Sequence, residues 1–519
     1  MDNNLKFVLN RENPIVETTY GRIRGFIEDS TYTFYGIKYA TSKRFQAPKK
    51  CEKFEGIKDA ISYGYVCPLP KQTKISNEVL VPHRYWISDE DCLNLNIWTQ
   101  SIDKEKKRAV MVWLHGGAFT NGSSIEQIAY DGKNLSKLGD VVVVSINHRL
   151  NVLGYLNLSD YGEKYNNSGN RGQEDIIASL KWIKDNIINF GGDPNNVTLF
   201  GQSGGGMKIA ALMQTPSSEG LFHKGIIQSG VVDDDSAFRK NESKDLINAL
   251  LDELDLSEKE IEKLETVEYE KLIKAYQKAS DKVNHRNGFL KLGAPLENDW
   301  YLGEGRFNKF SDHSKTIALM IGTTFGEFNF ESSVARNNIS EVEIKEKLVN
   351  LFGLSKDIDK LVALFRKTYP SRDLADLLDF DETFRYPTKH YISEFSKVMK
   401  APLYSYLLNF DFEYEGGKPA WHCSDIPFVF NNMEKVPLYN TKETIELGKI
   451  MSLAWINFAK SGNPNHENMV NWPKCEKEIE YTIIFDKKCE VKVNFDDELV
   501  NLHHKLTLSK VIKEKNIIH

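Results

Sequence analysis

The stretch that most constrains this chain is residues 190–206, FGGDPNNVTLFGQSGGG. At its centre stands G-x-S-x-G, formed by Gly201, Gln202, Ser203, Gly204 and Gly205. The run before it, Val197-Thr198-Leu199-Phe200, is β-branched and aromatic enough for a buried strand. After it, Met207-Lys208-Ile209-Ala210-Ala211-Leu212-Met213 reads as the start of a helix. A serine at the apex between strand and helix is the context of a nucleophile elbow. The backbone there is held strained, so the flanking positions must lack side chains for the hydroxyl to stand clear. A bare G-x-S-x-G recurs by chance. The flanks give this one its weight.

Phe190-Gly191-Gly192, four residues, Val197 and then the elbow resemble the serine signature of the type-B carboxylesterases, the family that also contains the cholinesterases. Three further segments carry the same resemblance. Phe34-Tyr35-Gly36-Ile37-Lys38-Tyr39-Ala40, with Arg44-Phe45-Gln46-Ala47-Pro48, is similar to the family's opening, departing by Lys38 for proline and by a shortened connection at Thr41-Ser42-Lys43. Glu90-Asp91-Cys92-Leu93-Asn94-Leu95-Asn96 resembles its second signature, and Trp455-Ile456-Asn457-Phe458-Ala459 through Asn465 a third motif. The resemblance spans nearly the whole chain and is weakest over about 235–310 and 335–400. It implies an α/β-hydrolase fold, with a mostly parallel central sheet, flanking helices and a Ser–Glu–His triad in that chain order.

The patterning agrees with an α/β class. Ala109–Leu114 and Val141–Ile146 are near-continuous apolar runs, as in strands covered on both faces. Ile226-Ile227, Ile317–Ile321 and Leu403–Leu408 read the same way, and the helix from Gly169 to Ile187 intervenes. Val16 to Pro48 alternates like antiparallel strands. From Arg239 to Ala279 the chain turns Lys/Glu-rich with leucines at helical spacing, which predicts a helical excursion over the sheet. A second excursion covers about 340–400. No repeat or low-complexity linker interrupts residues 1–519, so one elaborated domain is expected.

A serine hydroxyl needs a base. Among twelve histidines, His422 is distinguished by Trp421-His422-Cys423-Ser424-Asp425-Ile426-Pro427-Phe428, which resembles the family's histidine loop with Asp425 in place of its glutamate. A loop histidine packed beside Trp421 is the alternative. His503 and His504 read as structural. The third member must orient the imidazole and stabilise its charge. Glu327 lies five residues after Gly322, at the family's spacing for its acid, and the order Ser203, Glu327, His422 fits the α/β-hydrolase sequence. Asp411 and Asp425 are the next candidates.

The resemblance also implies an oxyanion hole from the amides of Gly117, Ala118 and Gly204, within His115-Gly116-Gly117-Ala118-Phe119 and just after the serine. Gln202 stands where many relatives carry glutamate, and Gly204 where many carry alanine. Ser229 matches a serine that in relatives bonds near the acid; a serine bonded to backbone is the competing reading. Phe119, Phe325 and Phe328 flank these motifs as candidate substrate contacts. A buried ion pair of Arg44 with Glu90 is implied by the resemblance, and Cys67 and Cys92 match a pair that closes a loop in secreted relatives.

The N-terminus has no apolar core of signal-peptide length and no run approaches eighteen apolar residues, so a cytoplasmic protein with Cys67 and Cys92 reduced is expected. A net charge of −6 without a long basic stretch argues against nucleic acid as a partner. Six cysteines show no zinc spacing; no metal, cofactor or membrane partner is implied. The expected activity is that of a serine carboxylesterase on small-molecule esters. The rivals are a non-catalytic, cholinesterase-like binding protein and an amidase or carbamate hydrolase with the same triad.

Overall fold

Seven strands run parallel through the middle of the molecule and decide where every polar group of the site emerges. In the computed structural model the described residues are 7–71, 77–232, 244–283, 292–303, 310–330, 339–353, 357–381, 383–414 and 416–517, with side chains of the last helix described as far as Ser509. Across the sheet the seven are Val142–Ile146, Arg108–Leu114, Gly192–Gln202, Lys224–Gln228, Ala318–Thr324, Leu403–Leu408 and Tyr481–Phe485. Antiparallel strands extend both edges to a twelve-stranded sheet.

Hydrophobicity on successive residues drives this arrangement, because side chains alternate across a strand. In Arg108–Leu114, Val110, Val112 and Leu114 enter the apolar cluster on one face, while Met111 and Trp113 enter the cluster on the other. Both faces are therefore covered, as a parallel sheet requires. The helix Arg171–Asn186 buries Ile176, Leu180 and Ile183 on the first face. The helix Lys442–Ser461 buries Leu447, Met451, Trp455 and Phe458 on the second, and Gly462 ends it in a left-handed conformation at φ 78°.

The first excursion contains the helices Lys244–Glu253 and Tyr269–Lys282, whose leucines join the first core face. Its expected start at Arg239 lies outside the described residues. The second holds Glu341–Phe352, Ile358–Thr368 and Arg385–Ser396. The alternating stretch after Val16 divides between two sheets. Ile15–Thr18 and Gly21–Arg24 join a separate three-stranded sheet, while Phe26–Glu28 and Thr31–Lys38 extend the large one. Among the described residues no helix is long and apolar enough to cross a membrane.

Arg44 and Glu90 do pair, through Nε–Oε2 at 2.9 Å and a second contact from Nη2. Glu90 is about one-third exposed, so the pair is not fully buried as expected. A fully buried ion pair is that of Arg149 with Asp175, at 2.7 Å and 2.8 Å. Removing one partner of such a pair costs about 3–5 kcal/mol. Cys67 and Cys92 are buried neighbours with free thiols.

Candidate active site

Each candidate side chain leaves the C-terminal end of a parallel strand, where ladder pairing fixes its height. Gly201 pairs with Leu114, Gln202 with Gln228, and Gln228 with Gly322. The loops that follow supply His115–Ala118, Ser203, Ser229 and Glu327; His422 follows the Leu403–Leu408 strand after a short ribbon.

Ser203 sits between the Gly192–Gln202 strand and the Gly204–Met213 helix at φ 56° and ψ −125°, an unfavourable backbone for a side chain. Its N–H donates to Gln228 O at 2.7 Å, which locks the turn. The glycines after it are required by contact. A Cβ on Gly205 would lie 1.9 Å from Leu114 O, and one on Gly204 would lie 2.3 Å from Ala118 N, Cα and O. Positive φ recurs around the serine, at Ala118 (51°), Ser229 (49°), Glu327 (36°) and Cys423 (74°). Strain of this kind concentrates at functional sites.

Glu327 is fully buried. One carboxylate oxygen, Oε2, contacts His422 Nδ1. The other, Oε1, accepts from Ser229 Oγ at 2.7 Å and Thr324 N at 2.8 Å. Ser229 therefore bonds the acid itself. His422 N–H also donates to Glu327 O at 2.6 Å, so backbone and side chain hold the same two residues together. The carboxylate makes Nδ1 the protonated nitrogen, leaving Nε2 as the acceptor.

The imidazole lies between rings, 5.0 Å from Phe384 at 11° and 4.5 Å from Phe328. Gln202 Nε2 sits astride its nitrogens, 3.2 Å from Nε2 and 3.3 Å from Nδ1, while Gln202 Oε1 accepts from Cys423 Sγ at 3.3 Å. Ser203 and His422 line one cavity of about 720 Å³. Among the described residues no hydrogen bond joins Ser203 Oγ to the imidazole; such bonds are often long before substrate binds.

Gly116, Gly117 and Ala118 line the same cavity. The carbonyls of His115, Gly116 and Gly117 are held from behind. Lys208 Nζ donates to His115 O at 2.9 Å, His115 Nδ1 to Gly116 O at 2.9 Å, and Asn121 N to Gly117 O at 2.9 Å. A peptide's N–H points opposite to its C=O. Among the described residues the N–H groups of Gly117, Ala118 and Gly204 have no acceptor. Unpaired donors of this kind suit an anionic oxygen.

Two expected contacts are corrected. Phe325 is 1% exposed and lies in the core beneath the second excursion, edge-on to Tyr369 and Phe380 with the Arg372 guanidinium 3.9 Å above its ring. Phe119 is fully buried and packs on Tyr155 behind the turn. Neither lines the cavity; Phe328, Phe330, Phe384, Trp86 and Tyr85 do. Residues beside a motif alternate between cavity and core, and adjacency alone does not tell which.

The other acids have other partners. Asp425 accepts from Gln228 Nε2 at 2.7 Å and Tyr406 OH at 3.1 Å, and burial pushes its carboxyl up to about 6. Asp411 lies in the two-stranded ribbon with Lys418–Pro419. His503 packs edge-on to Phe352 and Phe380, and His504 stacks on Tyr386 at 3.5 Å. Among the described residues no cluster of His, Cys, Asp or Glu could hold a metal ion.

Sequence reasoning missed Phe384, Asp381 and Lys208. Asp381 accepts from the N–H groups of Thr383, Phe384 and Arg385, at 2.8, 2.9 and 2.6 Å, seating Phe384 against the imidazole. Burial, reinforced by the Glu327 charge, raises the Asp381 carboxyl well above the usual range. Arg385 in turn grips Asp496 at 2.9 Å and 3.0 Å, immediately before the C-terminal helix. Nothing local marks Phe384; a lysine inside the apolar run 207–213 was the available signal for Lys208.

Known proteins similar to this chain are esterases. Residues 12–502 match the model of the carboxylesterase family. The para-nitrobenzyl esterase of Bacillus subtilis (strain 168) is 34% identical over 510 residues, covering 93% of this chain and 96% of that protein. A solved esterase from the anaerobe Clostridium hathewayi, described as able to hydrolyse aliphatic aromatic polyesters, is 48% identical with a TM-score of 0.91, covering 96% of this chain and 99% of that one. A carboxylesterase of Geobacillus stearothermophilus is 28% identical with a TM-score of 0.72, covering 94% and 99%. The chain belongs to the carboxylesterase family and is a carboxylic ester hydrolase of the α/β-hydrolase fold.

Proposed function

We propose that this chain hydrolyses carboxylic esters through an acyl-serine intermediate on Ser203, with His422 as base and Glu327 as its partner. The observation that carries the reading is the buried Glu327 carboxylate on His422 Nδ1, with the imidazole lining the cavity that holds Ser203. Ser203 Oγ attacks the ester carbon as His422 Nε2 takes its proton. The carbonyl oxygen becomes an oxyanion held by the amides of Gly117, Ala118 and Gly204. Collapse breaks the ester C–O bond, and His422 returns the proton to the departing alkoxide. Water then attacks the acyl-serine with His422 again as base, releasing the acid and restoring Ser203.

The aromatic cavity wall suits esters with an aromatic or bulky alcohol or acyl part. The names of the relatives, which include a para-nitrobenzyl and a polyester-cleaving esterase, support that class. The reading takes residues 1–519 as one domain, supported by strands from Phe7–Val8 to Glu490–Val493 lying in one sheet.

The test is covalent. A fluorophosphonate adds to Ser203, and Ser203→Ala abolishes both labelling and turnover of p-nitrophenyl esters while the fold is kept. Labelling that persists in the variant puts the nucleophile elsewhere. Anilide turnover matching ester turnover favours an amidase, and no turnover at all favours a binding protein.

A further inference from the structure

Lys208 is a charged side chain in a place where apolar packing is the cheaper choice. It lies on the Gly204–Met213 helix between Met207 and Ile209, and none of it reaches solvent. Buried ammonium groups persist where a partner needs them. Here the hydrogen-bond partner is the carbonyl of His115, at 2.9 Å. That carbonyl belongs to the peptide that opens the Gly116–Ala118 turn.

The turn has three supports, and they differ in origin. Gly116 O is held by the ring of the preceding residue, and Gly117 O by Thr120 N at 3.1 Å and Asn121 N at 2.9 Å. Both supports belong to the turn's own loop and would travel with it. Lys208 alone of the three reaches across from the helix that Ser203 begins. It therefore adds a hydrogen bond between the turn and the nucleophile's helix to the backbone contacts of Gly204 with Ala118 and of Gly205 with Leu114 O.

We propose that Lys208 is a positioning residue for ester hydrolysis, tying the oxyanion turn to the serine's helix so that the Gly117 and Ala118 amides meet the oxygen on the carbon that Ser203 attacks. The inference rests on the reading of Ser203 and these amides given above. The neighbourhood is consistent with a donor role. The His115 and His148 rings stack at 5.1 Å, each donates from Nδ1 to a carbonyl, and burial together with the Lys208 charge holds both well below the usual imidazole range. Glu126, from the loop after the turn, supplies the attractive charge, while burial pushes the Lys208 ammonium down to about 7. A neutral amine still carries N–H groups, so the bond to His115 O survives loss of the proton.

Lys208→Met keeps most of the volume and deletes the donor. The expected result is a folded protein, by melting temperature and circular dichroism, with kcat lowered about ten- to hundredfold and KM within about threefold, the scale for misplacing groups by an ångström. The inhibition constant of an aryl trifluoromethyl ketone, which mimics the tetrahedral adduct, weakens by the same factor as kcat/KM, while that of a product carboxylate stays put. Lys208→Gln, with a donor on a shorter stem, falls between native and Met and carries the comparison if Met does not fold. Native-like kcat and ketone affinity in either folded variant overturn the role of Lys208, as does equal weakening of ketone and carboxylate. Ketone affinity that also survives Ser203→Ala takes the site reading down with it.

Discussion

The two walls that meet at Ser203 are built by opposite means. The serine wall is backbone against backbone, with Gly204 pressed on Ala118, Gly205 on Leu114 O, and carbonyls pinned along the turn. The histidine wall is largely side chain against side chain, with Glu327, Gln202, Phe328 and Phe384 converging on one ring and Ser229 holding Glu327 from behind. A backbone wall admits no intermediate settings, because a methyl either fits or collides. A side-chain wall can be tuned one group at a time. The first suits donors that must not move while charge develops on the substrate; the second suits a ring whose basicity must match its task.

Substitutions on either side sharpen this contrast. Glu327→Gln keeps the shape of the acid but removes its charge and unsettles the tautomer at Nδ1. The expected loss is about 10⁴-fold in kcat, the scale for that member of a triad, read as steady-state turnover of a p-nitrophenyl ester. Gly204→Ala places a methyl where Ala118 backbone atoms stand 2.3 Å away. Displacing an oxyanion donor costs about 10²–10³-fold in kcat; native kcat in that variant would mean that the serine wall yields more readily than its contacts imply.

Ser229→Ala leaves Glu327 Oε1 with the Thr324 amide alone. Losing a hydrogen bond to a charged group is worth about 1.5–3 kcal/mol, so a drop in kcat of at most about ten- to hundredfold is expected, with melting temperature as the control for folding. Gln202→Glu is the mildest change. An anion 3.2 Å from the ring favours imidazolium, so the acidic limb of kcat against pH moves to higher pH in the variant. Native enzyme therefore keeps activity to lower pH; superimposable acidic limbs would show that this side chain does not tune the ring.

The serine wall was largely legible in the sequence and the histidine wall only in part, for the same reason. Glycine spacing in Gly201–Gly206 and His115–Ala118 records local collisions, and local collisions leave a local pattern. Ser203 stands out by its G-x-S-x-G turn, Glu327 by its spacing after Gly322, and His422 by the resemblance of its loop to the family's. Phe384 and Asp381 owe their places to helices packing across the sheet, which no spacing encodes. Phe119 and Phe325 misled because a motif's neighbours face the core as often as the cavity. The Arg44–Glu90 pair was legible as a contact, but its degree of burial depends on what covers Glu90.

Arg385 grips Asp496 one residue beyond Phe384, and Phe384 is the ring stacked on His422. Mechanically this is a lever, with its long arm at the C-terminal helix Asp497–Ile517 and its short arm on the imidazole. If His422 is the base proposed above, fusions, tags or truncations that shift this helix are expected to reach the ring through Asp496, Arg385 and Phe384.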